Sequence, residues 1–171
     1  QQSTGTLINI SGGKITAANT RQVSQDDVAG GAGIGGGQQS TGTIINISGG
    51  EINATGTGGA GIGGGCGKDG FGNDITITGG LVKAVSQKGS GIGPGYYSGT
   101  EDVAEEKLTI ENAPFIFANS GSGGMEKGIY KQDGSENWSN IISIDGSVGK
   151  VYGKSVTTAM DVEIAENQTL V

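Results

Sequence analysis

The chain has 171 residues, 37 of them glycine, and only 33% are hydrophobic, too little apolar material for the thick core of a compact α/β enzyme of this length. A net charge of −7 with no basic stripe speaks against a phosphate backbone as partner, and no apolar run approaches the roughly 20 residues that insert into a bilayer as a helix. Histidine is absent and Cys66 is the single cysteine, which removes Ser-His-Asp and Cys-His catalysis, His-ligated zinc and an internal disulfide.

The elements repeat along the chain. Thr6 to Ala17 reads TLINISGGKITA, Thr43 to Ala54 reads TIINISGGEINA, and Asp74 to Ala84 reads DITITGGLVKA. A worn copy, KLTIENAPFIF, runs from Lys107 to Phe117, and IISIDGSV from Ile141 to Val148 is a candidate fifth. Each copy alternates with a period of two, the signature of a strand with one buried face. Ile8, Ile45, Ile75, Leu108 and Ile142 are expected to point inward, as are Ile10, Ile47, Ile77, Ile110 and Ile144. Asn9, Asn46, Thr76, Thr109 and Ser143 lie between them and are expected to form an outward polar row.

A Gly-Gly break then leads to a second short strand, with Ile15, Ile52, Val82, Phe115 and Val148 expected inward. A third element follows as GAGIGGG at Gly31 to Gly37 and Gly59 to Gly65, and as GSGIGPG at Gly89 to Gly95. Its isoleucines Ile34, Ile62 and Ile92, with Ile129 as a fourth, supply another inward contact. GAGIGGG contains G-x-G-x-x-G, but no helical pattern follows it, so tight turns are the reading rather than a dinucleotide site. Three short strands per unit, closed by glycine turns, describe one coil of a β-helix.

The fold class is therefore all-β: a parallel β-helix (β-solenoid), right-handed, with about 28–37 residues per coil. Handedness follows from long, irregular coils, which are unlike short hexapeptide turns. Residues 1–150 form the coils, and 151–171 form irregular terminal strands or the start of a further segment. One domain is expected, as a piece of a longer protein, because Gln1 starts inside the repeat.

Two insertions interrupt the coils, around NTRQVSQDDVAGG and at YYSGTEDVAEE from Tyr96 to Glu106. Insertions in solenoids become flanking loops, where binding residues gather. Their carboxylates Asp26, Asp27, Glu101 and Asp102, with Glu105 and Glu106 beyond, are candidate Ca²⁺ ligands or else a solvated acidic surface. No other cofactor is indicated. Tyr96, Tyr97, Tyr130 and Trp138 are candidate ligand-binding residues: their rings either stack on pyranose faces or pack beneath loops and solenoid ends. A paired-carboxylate hydrolase, or a lyase with calcium carboxylates and an Arg or Lys base, lacks most of its parts here: Arg21 is the only arginine, and Asp26-Asp27 sits in a loop with no histidine-bearing motif.

The run of INISGG, INATGTGGAGIGGG and ITITGG resembles the glycine-rich β-helix repeats of bacterial cell-surface proteins, some grouped with a clostridial carbohydrate-binding β-helix family. That resemblance covers about the first 95 residues. It implies display outside a bacterial cell and attachment to polysaccharide or a surface protein, sometimes with calcium. The expected function is a non-catalytic extracellular binding or spacer module for polysaccharide binding or adhesion. A polysaccharide lyase or hydrolase of the β-helix type and a purely structural stalk are the alternatives.

Overall fold

The computed structural model describes residues 6–21, 29–40, 42–97, 99, 104–112, 114–121 and 128–130, and the backbone of 141–145 and 150–152. The alternating segments form strands because β-branched isoleucine, valine and threonine suit a pleated surface with one buried side. The first coil comprises β1 (Leu7–Ile10), β2 (Lys14–Ala18) and β3 (Ile34–Gly35). The second comprises β4 (Ile44–Ile47), β5 (Glu51–Gly56) and β6 (Ile62–Gly63), and the third β7 (Asp74–Ile77), β8 (Leu81–Ser86) and β9 (Ile92–Gly93). A fourth level holds β10 (Lys107–Ile110) and β11 (Phe115–Ser120), with a single parallel bridge, Ile92↔Ile129, in place of a third strand. After it come β12 (Ile141–Asp145) and β13 (Lys150–Tyr152). Among the described residues there is no α-helix, only a 3-10 turn at Lys68–Gly70.

Equivalent strands stack into three sheets, ordered β1-β4-β7-β10, β2-β5-β8-β11-β12-β13 and β3-β6-β9. All pairings are parallel and in register except β12 with β13, which is antiparallel. The chain is thus a parallel β-solenoid. Successive levels of the first sheet are offset by 37, 30 and 33 residues along the chain.

The interior is a set of vertical ladders. Ile45, Ile75, Ile47 and Ile77 fill the first sheet's inner side, Ile52, Val82 and Ile116 the second's, and Ile34, Ile62, Ile92 and Ile129 the third's. A column of alanines, Ala17, Ala54, Ala84 and Ala118, stacks in the same interior, two residues after the second sheet's inward ladder. Burying one such isoleucine contributes on the order of 1.5–3 kcal/mol, and stacking at about 4.8 Å lets neighbouring coils share it.

Two expected positions differ. Phe115 is not inward: it pairs with Leu81 and is 60% exposed, while Ile116 pairs with Val82 and is 3% exposed. The cause is one additional residue in the turn. Ile110 and Ile116 are separated by Glu111 to Phe115, whereas Ile77 and Val82 are separated only by Thr78 to Leu81. A shift of one residue exchanges the two faces of a strand. In that longer turn Asn112 adopts φ 57, a left-handed conformation that asparagine tolerates.

The second difference is Ile141–Asp145. This strand stacks on β11 in the second sheet, placing Ile141 opposite Ile116 and Ile142 opposite Phe117. Ile142, Ser143 and Ile144 therefore do not extend the rows begun by Ile8, Asn9 and Ile10. Val148 and residues 153–171, including the expected terminal strands, lie outside the described residues.

Candidate functional site

Two regions of the solenoid carry more than stacking. One is the outer face of the second sheet. Outward positions alternate with the buried ladder, so Lys14, Glu51, Leu81 and Phe115 form one outer column, and Thr16, Asn53, Lys83 and Phe117 the next. At the first two levels the columns are polar, with Lys14 and Glu51 paired at 2.7 Å across the rungs. At the third and fourth levels they turn apolar. Leu81 is 57% exposed beside Phe115, Phe117 is half-buried, and the Lys83 ammonium lies 5.8 Å from the Phe117 ring centre, within cation–π range.

The outer face of the first sheet carries an exposed aliphatic pair, Leu7 on Ile44, beside a polar row. Asn9, Asn46, Thr76 and Thr109 stack as the expected outward polar row. The Asn46 side-chain amide donates to Asn9 Oδ1 at 2.9 Å, the start of an asparagine ladder.

The second region is the corner where each coil enters the first sheet. Thr43, Asn73 and Glu106 immediately precede β4, β7 and β10 and are all buried. Asn73 uses its whole amide: Oδ1 accepts the Thr43 N–H at 3.2 Å, and Nδ2 donates to the Gly70 carbonyl at 2.8 Å and to Glu106 Oε1 at 2.6 Å. The backbone N–H groups of Gly72 and Asn73 also donate to the Glu106 carboxyl. Gly72 reaches the required conformation at φ 81, forming the kind of backbone concavity that holds anions. Burial nevertheless outweighs these three donors and raises Glu106 from 4.5 to about 7.

Aromatic rings gather at the same corner. Phe71 is buried, with Tyr130 edge-on at 5.8 Å and Tyr97 edge-on at 6.4 Å between ring centres. Tyr130 follows the bridge residue Ile129, and its phenol is pushed above the usual range by burial first and by the Glu106 charge second. Tyr96 is half-buried. Its N–H donates to Gly58, and its carbonyl accepts the Gly67 N–H and the Cys66 thiol, the latter at 3.2 Å.

Of the tyrosines singled out from the sequence, Tyr97 and Tyr130 therefore share one packed cluster on Phe71, and Tyr96 borders the third sheet. Trp138, Asp26, Asp27, Glu101 and Asp102 lie outside the described residues. Among the described residues no three His, Cys, Asp or Glu side chains converge on a metal-sized site, and no helix is long and apolar enough to cross a membrane. The sequence reading missed the Leu81–Phe115–Phe117 surface. A signal for it existed: aligning Ala118 with Ala17, Ala54 and Ala84 turns both phenylalanines outward.

No curated protein and no solved structure matches the chain. A family model described as "Beta helix repeat" does match, at residues 8–38, 45–66 and 75–96. These spans begin at the inward isoleucines Ile8, Ile45 and Ile75, one span for each complete coil, so the stacked units are similar in sequence as well as in shape to β-helix repeats.

Proposed function

We propose that this chain is a non-catalytic module of an extracellular, surface-displayed protein and that it binds polysaccharide through the outer face of its second sheet. The observation that carries the reading is the apolar patch of exposed Leu81 and Phe115 with half-buried Phe117 beside them, across two adjacent coils. Rings fixed on a flat sheet lose little side-chain freedom when the C–H face of a pyranose stacks on them, and neighbouring Lys83, Asn53 and Thr55 offer hydrogen bonds at the rim. The resemblance to glycine-rich surface repeats supports the same setting. The carboxyl with a raised pKa, Glu106, would serve an acid–base reading, but Asn73 and two backbone N–H groups already engage it, so we assign it to structure.

The test is retention of the protein on a panel of insoluble and gelled polysaccharides, with and without calcium. The wild type is expected to be retained on at least one polymer. Phe115→Ala with Phe117→Ala should lose most of that retention while the protein keeps its cooperative unfolding transition, the half-buried Phe117 ring costing a modest part of its stability. Retention equal to wild type would move the binding site elsewhere, to Tyr96 and Tyr97 first, and no retention on any polymer would leave a structural stalk. Release of new sugar ends from a polymer would overturn the non-catalytic reading.

A further inference from the structure

The outer face of the second sheet carries a charge that stacking does not require. Across its four coil levels the charged outward residues are Lys14, Glu51 and Lys83. Lys14 and Glu51 neutralise each other at 2.7 Å. Lys83 is exposed and has no carboxylate partner among the described residues, on a chain whose net charge is −7. Its neighbours along the column are Asn53 on one side and Phe117 on the other, and its ammonium lies over the Phe117 ring.

We propose, resting on the polysaccharide reading above, that the ligand is an acidic polysaccharide built from uronic acid units and that Lys83 selects it by pairing with a sugar carboxylate. With the ammonium 5.8 Å from its centre, the half-buried Phe117 ring is engaged on that side, and Phe115, 60% exposed, is the open stacking surface. Leu81, 57% exposed and in register with Phe115, extends this apolar floor across two coils. Lys83 follows Leu81 by two residues on the same face, about 6.6 Å along the strand. A pyranose resting on Phe115 and Leu81 can therefore turn its C5 substituent toward Lys83. In a neutral hexose that substituent is a hydroxymethyl group; in a uronic acid it is a carboxylate, which an ammonium meets with a charge-assisted hydrogen bond.

The ring contact holds the lysine in place before the ligand arrives, so less side-chain freedom is lost on binding. A single ammonium with no arginine beside it suits a singly charged carboxylate better than the phosphate groups that recruit arginine forks. The negative charge of the whole chain opposes an anionic polymer, but at physiological ionic strength it is screened beyond about 8 Å, whereas Lys83 acts at contact. The competing use of a lysine here is to keep exposed apolar residues from pairing with other sheets, and that use makes no demand on the ligand's charge.

Isothermal titration calorimetry of the full chain with oligogalacturonides, their methyl esters and neutral galacto-oligosaccharides, in calcium-free buffer, tests the assignment. The free acids should bind, and methyl esterification or Lys83→Met should each weaken binding by about 5–10-fold. Methionine keeps an apolar stem beside Phe117, and Lys83→Arg, which keeps the charge, should retain most of the affinity. Equal binding of acid and ester, or wild-type affinity in Lys83→Met, would overturn selection by charge and leave the polysaccharide reading standing. Binding to none of the three, with retention on some other neutral polymer, would overturn this inference alone; retention on no polymer at all would overturn both.

Discussion

Alanine substitutions at three glycines separate what the coil turns demand from what the stacking demands. Gly12 has open space around an added methyl group and a φ outside the left-handed region, so Gly12→Ala should change stability by no more than about 0.5 kcal/mol. Gly13 also has open space but adopts φ 84, and Gly13→Ala should cost about 1–2 kcal/mol of backbone strain. Gly63 combines both problems. Its φ is 132, and a methyl group there would collide with the Gly93 carbonyl one coil away. Relief requires the coils to separate, which endangers the bonds Gly36 N–H to Gly63 O at 2.8 Å, Ile62 N–H to Gly91 O at 2.9 Å and Gly64 N–H to Gly93 O at 2.9 Å. At about 1 kcal/mol for each bond plus the strain, Gly63→Ala should cost about 4–6 kcal/mol. A domain holds only about 5–15 kcal/mol in all, so this variant should be barely folded at 25 °C. Urea unfolding followed by far-ultraviolet circular dichroism ranks the three. If Gly63→Ala is no worse than Gly13→Ala, close approach between the coils is not what fixes glycine in this column.

Neighbouring residues in one strand test the inward–outward assignment: Ile45→Ala should cost about 2–5 kcal/mol. Ile44→Ala, at a side chain 46% exposed beside a fully buried one, should cost under about 1 kcal/mol in the same urea titration. Ser90 Oγ is buried without a hydrogen-bond partner, and the equivalent residue one coil earlier is Ala60. Ser90→Ala should therefore raise the unfolding midpoint or leave it unchanged, since the lone hydroxyl costs about 1–3 kcal/mol to bury. Ser86→Ala should lower it, because Ser86 Oγ donates to Gly59 O at 2.7 Å and accepts the Gly89 N–H at 2.9 Å, leaving two buried groups unpaired.

The coil architecture was legible because stacking repeats its demands. Every inward place asks for a β-branched apolar residue and every close approach for glycine, so Ile8, Ile45 and Ile75, or Gly35, Gly63 and Gly93, reappear at each level. Legibility ended where a turn changed length. The single additional residue before β11 hid the outward orientation of Phe115, and the move of Ile141–Asp145 to the second sheet left no local trace in its alternation. The corner ladder was hidden for a different reason. Thr43, Asn73 and Glu106 share no residue type and lie 30 and 33 residues apart, so only the register brings them together. Glu106 read as one of several carboxylates in an acidic loop, and nothing in YYSGTEDVAEE distinguishes the buried one from its exposed neighbour Glu105.

The two outer faces answer differently to the same freedom. Outward residues on a stacked sheet contribute little to the core, so composition there is set by solvent or by a partner. On the first sheet the middle row stays small and polar from Asn9 to Thr109, while the column beside it runs from exposed Leu7 and Ile44 to Asp74 and Lys107. On the second, Lys14 and Glu51 give way to Leu81 and Phe115, and Thr16 and Asn53 to Lys83 and Phe117. Exposed rings on a flat sheet invite association with other chains, which natural sheets usually counter with charge. Here the nearest charge, Lys83, sits against the Phe117 ring, and more than half of the neighbouring Phe115 side chain remains in solvent. The first sheet has an exposed apolar pair of its own, Leu7 and Ile44, but no ring; the rings on the fourth level of the second sheet, with Leu81 on the third, are what support the proposed ligand face. Phe115 and Phe117 are therefore better placed to meet a ligand than Tyr97 and Tyr130, whose rings already have Phe71 to pack against.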